Sequence, residues 1–585
     1  MKKIISEIEE KVSAAFLDAG YLESFGAVTV SNRPDLCQYQ CNGALIAAKQ
    51  FKKKPIDIAN EVAARLSGDS MFGKVEAAMP GFLNITVDTA YLADYVRRMA
   101  GSDRFGYEPQ AVRTVVVDYG GPNVAKPLHV GHLRPAIIGE AVKRILRYAG
   151  NKVIGDAHLG DWGLQIGLII TELKRRKPEL PYYDESFTGE YPAEAPFTMA
   201  ELEEIYPYAS SYSKQEGHED YKEEARHATL LLQQGHRGYR ALWEHIMKVS
   251  VADLKKNYAR LQVEFDLWKK ESDAQPYIPD MIRKMKEGGF TRISEGALVV
   301  DVKTPEDKKE IPPCMVLKSD GATLYNTTDL ATIVERMELF KPDQIVYVVD
   351  KRQDLYFEQV FRCARKTGIV GPETELTFLG FGTMNGKDGK PFKTRDGGVM
   401  RLEYLIGDIA GEVYKKMQDR DMTEEEARAI SEEVGLAALK YGDLSNQASK
   451  DYIFDVERFT SFEGNTGPYI LYTMVRIKSI LEKAGTLPET APVKREYNAE
   501  ETNLLLTLAR FQDSFEKAVS ELAPHKVCQY IYELSNALNS FYHGNKILTE
   551  ENEAKKAEWI AMLRTTLRIL TCCTDMLAFS APDRM

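Results

Sequence analysis

At 585 residues the chain is longer than one ordinary core accommodates, and three or four domains are expected. With 44% hydrophobic and 28% charged residues it has a globular composition, and no run of eighteen apolar residues predicts a membrane span. A net charge of −11 excludes a protein that coats nucleic acid indiscriminately, but leaves room for RNA gripped by local basic patches such as "KQFKKKP" (49–55) and "KRRKP" (174–178).

The opening "MKKIISEIEEKVSAAFLDAG" carries acids at helical spacing and predicts an amphipathic helix rather than a signal peptide. "PIDIANEVAARL" predicts a second helix, and the alternation in "FLNITV" a strand, so residues 1–108 form an α+β unit. The turn-rich "GSDRFGYEPQ" ends it. Strand "TVVVDY" follows, then a helix with Leu133, Ile137, Ile138, Ala141, Val142, Ile145 and Leu146 on one stripe, then strand "NKVIGDAHL". This βαβ start implies a parallel sheet in a unit spanning 109–422. Between about 178 and 215 the pattern dissolves into Pro, Tyr and Glu, which reads as an insertion (about 178–250) with helices resuming at "YKEEARHATLLLQQ". From 423 to 585 the chain is almost wholly helical, so the class is multidomain α/β plus all-α. The seven cysteines are odd in number, and Cys37 and Cys41 lack a second pair for zinc. Buried reduced thiols, a cytoplasmic location and no tightly bound metal are expected.

The stretch "VVVDYGGPNVAKPLHVGHLRPAIIGEAVKRILRYAG" (115–150) sets His129 and His132 around Gly131 where strand hands over to helix. In an open α/β sheet ligands bind beyond the carboxyl ends of the strands, and anions favour a helix amino terminus. Two imidazoles there can donate to phosphate oxygens, and Gly131 lets a nucleotide approach the backbone. His-x-Gly-His arises by chance about 0.01 times in a chain of this composition, so it is informative; a pair of surface histidines at a turn is the bland alternative. Asp329 follows Tyr325 by four residues and shares its face if "LYNTTDLATI" enters a helix. A helix cap at Asp329 and a structural role for Asp118 at its strand end are the competing assignments. Trp162 and Gln165 either line the site or pack in the core. Tyr469, Tyr472 and Arg476 in "NTGPYILYTMVR" suit base stacking, or again core packing.

"HVGH" resembles the His-Ile-Gly-His signature of class I aminoacyl-tRNA synthetases, and "GGPNVAKPLHVGHLR" resembles the arginyl enzymes among them. The likeness continues in order through "HLGDWGLQIG", "DGATLYNTTDLA", "GKDGKPFKTRDGG", "SFEGNTGPYILYTMVRIKSIL", "LSNALNSFYHGNKIL" and the terminal "PDRM". "GKDGKPFKTRDGG" is similar to the second signature, Lys-Met-Ser-Lys-Ser, although Lys387, Lys390 and Lys393 fall outside the usual register. The resemblance implies a Rossmann-like catalytic domain, an N-terminal domain touching the tRNA elbow and a C-terminal helical bundle reading the anticodon loop. It implies that L-arginine is activated with ATP, Mg²⁺ accompanying, and passed to tRNA(Arg), which must be present before activation. By the same resemblance His129, His132 and Lys393 are catalytic, and Pro127, His129, Gly131, His132, Lys390 and Lys393 hold ATP. Asp118, Asn123, His132, Tyr325, Asp329 and Gln353 hold arginine, with Tyr325 and Asp329 on its guanidinium. Tyr469, Tyr472, Arg476 and Met585 face tRNA, with Thr473-Met474 standing where the family often has Ala-His. A monomer is expected. Two other functions share some of these features: a nucleotidylyltransferase for a smaller substrate, which needs no RNA-sized helical domain, and a non-catalytic RNA-binding relative, which needs no intact histidines or lysine loop.

Overall fold

The computed structural model describes residues 1–126, 128–390, 400–418, 422–485 and 495–585. In the first unit α1 (Ile4–Asp18), β1 (Val28–Val30), β2 (Tyr39–Cys41), α2 (Gly43–Phe51), α3 (Pro55–Leu66), β3 (Phe72–Ala78), β4 (Phe82–Val87) and α4 (Thr89–Ala100) follow in order. The strands form an antiparallel sheet, β1-β2-β4-β3. Leu83, Ile85 and Val87 alternate inward along β4 and share a core with Ile4, Ile8, Val12 and Phe16 of α1. Pro55 opens α3, where its missing N–H has no intrahelical partner to lose.

The second unit begins with β5 (Thr114–Asp118), α5 (Leu133–Tyr148) and β6 (Lys152–Asp156). Helices α6 (Leu164–Arg176), α7 (Met199–Tyr212), α8 (Glu219–Gln233), α9 (Arg237–Arg260) and α10 (Ile278–Glu287) come next. Strands β7 (Thr291–Ser294), β8 (Ala297–Val300) and β9 (Cys314–Leu317) make a small antiparallel sheet that the sequence patterns did not predict. Then come α11 (Tyr325–Phe340), β10 (Gln344–Asp350), α12 (Asp354–Lys366), β11 (Glu375–Phe381) and the two-residue β12 (Met384–Asn385). The main sheet runs β11-β10-β5-β6 with every neighbour parallel. Chain order moves outward from β5 to β6 on one side and from β10 to β11 on the other, and the crevice between β5 and β10 is the place where such sheets bind ligands.

The helical remainder comprises α13 (Leu402–Met417), α14 (Glu424–Leu444), β13 (Tyr452–Ile453), α15 (Val456–Phe459), α16 (Gly467–Ala484), α17 (Ala499–Ala509), α18 (Phe511–Ser520), α19 (Pro524–Gly544) and α20 (Glu553–Met576). The single apolar stripe expected on α5 is too narrow. Arg134, Glu140 and Lys143 are buried as well: Arg134 lies against α14, while Glu140 and Lys143 are held by Tyr119 and by the backbone of Glu264 beyond α9. Arg134 there donates to Asp443 of α14 at 2.9 Å and to the Gly382 carbonyl at 2.6 Å. The stretch 178–215 also proves more regular than its composition suggests. Thr198 and Glu201 form a reciprocal capping box (3.2 and 2.8 Å) that starts α7 and lets it persist with Pro207 inside. Six of the seven cysteines are buried and Cys572 is half-buried; none is disulfide-bonded. No helix among the described residues is long and apolar enough to cross a membrane.

Candidate active site

The histidine motif occupies the carboxyl end of β5. Val130–His132 form one 3₁₀ turn leading into α5. The His129 N–H donates to His132 Nδ1 at 3.1 Å, and the Gly131 N–H donates to His129 Nδ1 at 3.0 Å. Each Nδ1 is therefore an acceptor, which assigns the proton of each neutral ring to Nε2 and leaves Nε2–H as an outward donor. The rings lie 3.9 Å apart. Burial, joined by the Lys126 ammonium, lowers the pKa of His129; burial, the His129 ring and Lys126 bring that of His132 down to about 3. Both rings are thus neutral hydrogen-bond donors at neutral pH. Gly131 also leaves room for the first imidazole: a Cβ there would stand 2.8 Å from His129 Cε1. Pro127 lies outside the described residues.

A second group of polar side chains converges at the ends of β5, β6 and β10. The guanidinium of Arg336, two turns along α11 from Asp329, is almost fully buried. It donates to Asp118 at 2.6 Å and to Asp156 at 2.8 Å, and stacks 5.4 Å from the Tyr347 ring centre. Asp118 is thus shared with one of the protein's own cations, which the sequence did not predict; its Oδ1 makes no hydrogen bond among the described residues and remains able to accept from a ligand. Asp329 differs. Its carboxylate accepts from the Tyr356 hydroxyl but has no ion-pair partner among the described residues. Burial raises its pKa against that hydrogen bond and against the neighbouring charges of His158 and Arg336, so its ionised form is under-compensated in the folded chain.

Tyr325 is exposed one turn before Asp329 on α11, as the four-residue spacing implies. Asn123 is exposed and bridges Gly160, whose missing Cβ makes room for it: a Cβ would fall 2.1 Å from Asn123 Oδ1. Gln353 is exposed at the end of the turn following β10. Three groups escaped sequence reasoning here. Arg336 is one. His158 is another: burial disfavours its charged form, but Asp156 and Asp118 outweigh burial and raise its pKa. The third is Glu271, whose N–H is held by the Leu159 carbonyl at 3.0 Å. Burial, reinforced by Asp161 and Asp329, pushes the Glu271 carboxyl up to about 7. Trp162 takes the core alternative, buried edge-on to Trp243 at 5.7 Å, while Gln165 donates to the Gly160 carbonyl at 3.3 Å.

Both feet of the lysine loop are fixed. At its start β12 pairs with β13, Gly386 N–H donates to the Lys390 carbonyl at 2.8 Å, and Lys387 lies 3.4 Å from Asp455. At its end Met400 accepts from Val130 N–H at 3.0 Å, and Arg401 bridges His129. The loop therefore leaves beside β13 and returns beside the histidine motif. Lys390 is exposed at the first foot, and Lys393 lies outside the described residues.

The remaining candidates sit on the helical unit. Tyr469, Tyr472 and Arg476 share a face of α16 with Asn536, Asn539 and Tyr542 of α19. Tyr469 hydroxyl donates to Asn536 at 2.7 Å, and the Arg476 guanidinium lies 4.8 and 5.1 Å from the Tyr472 and Tyr542 ring centres. Thr473 and Met474 are buried, so the departure from Ala-His falls on the core side. Met585 ends a tail that Lys478 of α16 holds through the Ala581 and Pro582 carbonyls at 3.2 and 3.0 Å.

Known proteins agree with this layout. Residues 99–456 match the family described as tRNA synthetases class I (R), catalytic domain, 470–585 the DALR anticodon binding domain, and 2–87 the arginyl tRNA synthetase N terminal domain. Proteins named arginine–tRNA ligase from Agathobacter rectalis and Alkaliphilus oremlandii are 61% and 55% identical over 599 and 589 residues, with 100% of each chain covered. Solved arginyl-tRNA synthetases from Plasmodium falciparum and Thermus thermophilus share the fold over 100% of both chains, with TM-scores of 0.81 and 0.78 at 23% and 21% identity. One catalytic-domain match over more than half of the sequence, flanked by two matches in the order of the observed units, leaves a single conclusion: the chain belongs to the arginyl-tRNA synthetase family.

Proposed function

We propose that the chain is an arginine–tRNA ligase. The observation that carries this is the Asp329 carboxylate, beside the catalytic crevice with no ion-pair partner among the described residues while Arg336 is taken by Asp118 and Asp156. A planar guanidinium meets a carboxylate with two parallel hydrogen bonds, which makes it the natural occupant. Tyr325 covers that end, Glu271 adds a second acid, and Asp118, Asn123 and Gln353 take the amino-acid head. The arginine carboxylate attacks the α-phosphorus of ATP, and the bond to the bridging oxygen breaks, giving arginyl-adenylate and pyrophosphate. Nε2–H of His129 and His132 donates to phosphate oxygens as charge develops, with Lys126, Lys390 and Lys393 as further cations. A ribose hydroxyl at the tRNA end then attacks the activated carbonyl and AMP leaves. Mg²⁺ would travel with the ATP phosphates, easing charge on the leaving pyrophosphate. Residues 1–108 would touch the tRNA elbow and 423–585 the anticodon loop, in a cytoplasmic monomer.

Pyrophosphate exchange tests the assignment, and label should enter ATP only when L-arginine is present, with tRNA(Arg) added. Exchange without arginine would instead indicate a nucleotidylyltransferase, and none under any condition a binding protein.

The pocket also sets a pH dependence. A guanidinium between Asp329 and Glu271 favours their ionised forms, so binding below about pH 7 must displace the Glu271 proton. Arginine affinity should therefore rise with pH, by at most about tenfold per unit below pH 7, and level off above it. Glu271→Gln should flatten that profile between pH 6 and 8.5. A wild-type profile that is already flat would separate Glu271 from the guanidinium.

A further inference from the structure

Two cations flank the histidine motif, and one helix of the insertion reaches both. Arg401 pairs with His129 through the antiparallel bridge that closes the lysine loop, and its guanidinium lies 2.9 Å from Glu203 of α7. Lys126 stands three residues before His129, and its ammonium lies 4.5 Å from the ring centre of Tyr206, also on α7. Glu203 and Tyr206 are three residues apart and so share a helix face. The neighbouring face of α7, Leu202, Ile205 and Ala209, is buried, which fixes the helix as a platform. The two grips differ in kind. An aromatic face holds an ammonium without neutralising it, whereas a carboxylate pairs with a guanidinium as its counter-charge. The Glu203 side chain is only 14% exposed, and burial raises its pKa against the pull of Arg401.

We propose that α7 is a positioning element of the ATP site, in which Glu203 acts through Arg401 to seat the returning foot of the lysine loop and Tyr206 acts through Lys126 to keep that ammonium beside the imidazoles. Neither Glu203 nor Tyr206 touches the reacting atoms. The inference rests on the ligase assignment above and deepens it: the insertion helps to build the triphosphate subsite and is more than a spacer.

Exchange kinetics on the full chain with tRNA(Arg), saturating arginine and varied ATP test this. Glu203→Gln and Tyr206→Leu should each raise the ATP KM about fivefold, with kcat within about twofold and the arginine KM unchanged. The exchanged pair Glu203→Arg/Arg401→Glu should recover much of the ATP affinity lost in Arg401→Glu alone. An unchanged ATP KM in both single variants overturns the proposal. So does a parallel rise in the arginine KM with a lowered melting temperature, which would mark general loosening of the insertion. A wild-type chain without arginine-dependent exchange would remove the ligase assignment itself, and this inference with it.

Discussion

Asparagine in place of Asp329 is expected to weaken arginine binding by about 2–5 kcal/mol, roughly 30- to 5,000-fold, the range for breaking a buried charge pair. The change is nearly isosteric, and the amide oxygen can still accept from Tyr356, so the pocket keeps its shape. Stability should not follow affinity. Burial raises the Asp329 pKa in the folded chain, so its ionised form opposes folding above the ordinary carboxylate range, and the variant should be as stable as the parent at pH 7 or slightly more so. Calorimetric titration of arginine together with a thermal melt distinguishes the two effects. An unaltered affinity would remove Asp329 from the pocket. A loss of arginine and ATP affinity together with a lower melting temperature would make it a structural residue.

What the sequence revealed of this site was local. The histidine motif could be placed because strand, turn and helix follow one another within 115–150, and Tyr325 and Asp329 could be put on one face because both lie in one turn of α11. The alternation in β4 survives as inward-facing Leu83, Ile85 and Val87. The missed features depend on contacts distant in sequence. Arg336 meets Asp118 across 218 residues and Asp156 across 180, and nothing in "ATIVERM" marks its arginine as buried. Glu271 enters the pocket because residues 266–271 run beside 155–159, a pairing without strand periodicity. The polar burial on α5 likewise follows from partners distant in sequence, Asp443 for Arg134 and Glu264 for Glu140 and Lys143, which no stripe of apolar residues announces. Helix α7 is the exception, since Thr198-x-x-Glu201 is a capping signal that was present in the sequence and outweighed by the surrounding Pro and Tyr.

Arg336→Met should cost about 3–5 kcal/mol of stability at neutral pH, because it leaves the carboxylates of Asp118 and Asp156 without their shared cation. The deficit should shrink on acidification. In the parent, burial opposes ionisation of Asp156, but His158 and Arg336 win and lower its pKa, so that contribution is present above the ordinary carboxylate range and is lost as pH falls. In the variant burial acts with less opposition and raises that pKa, so protonation relieves the strain and the melting temperatures of parent and variant approach each other toward pH 5. Adding Asp118→Asn and Asp156→Asn to Arg336→Met removes the ion-paired triad, leaving only His158, whose charged form those acids had favoured, and should restore much of the stability, as replacing a whole buried ion pair often does. Arginine affinity should not return, because the negative charge of Asp118 is gone from the crevice. A triple variant that regained both stability and wild-type arginine affinity would make the cluster purely architectural and leave Asp329 and Glu271 as the only acids in contact with the substrate.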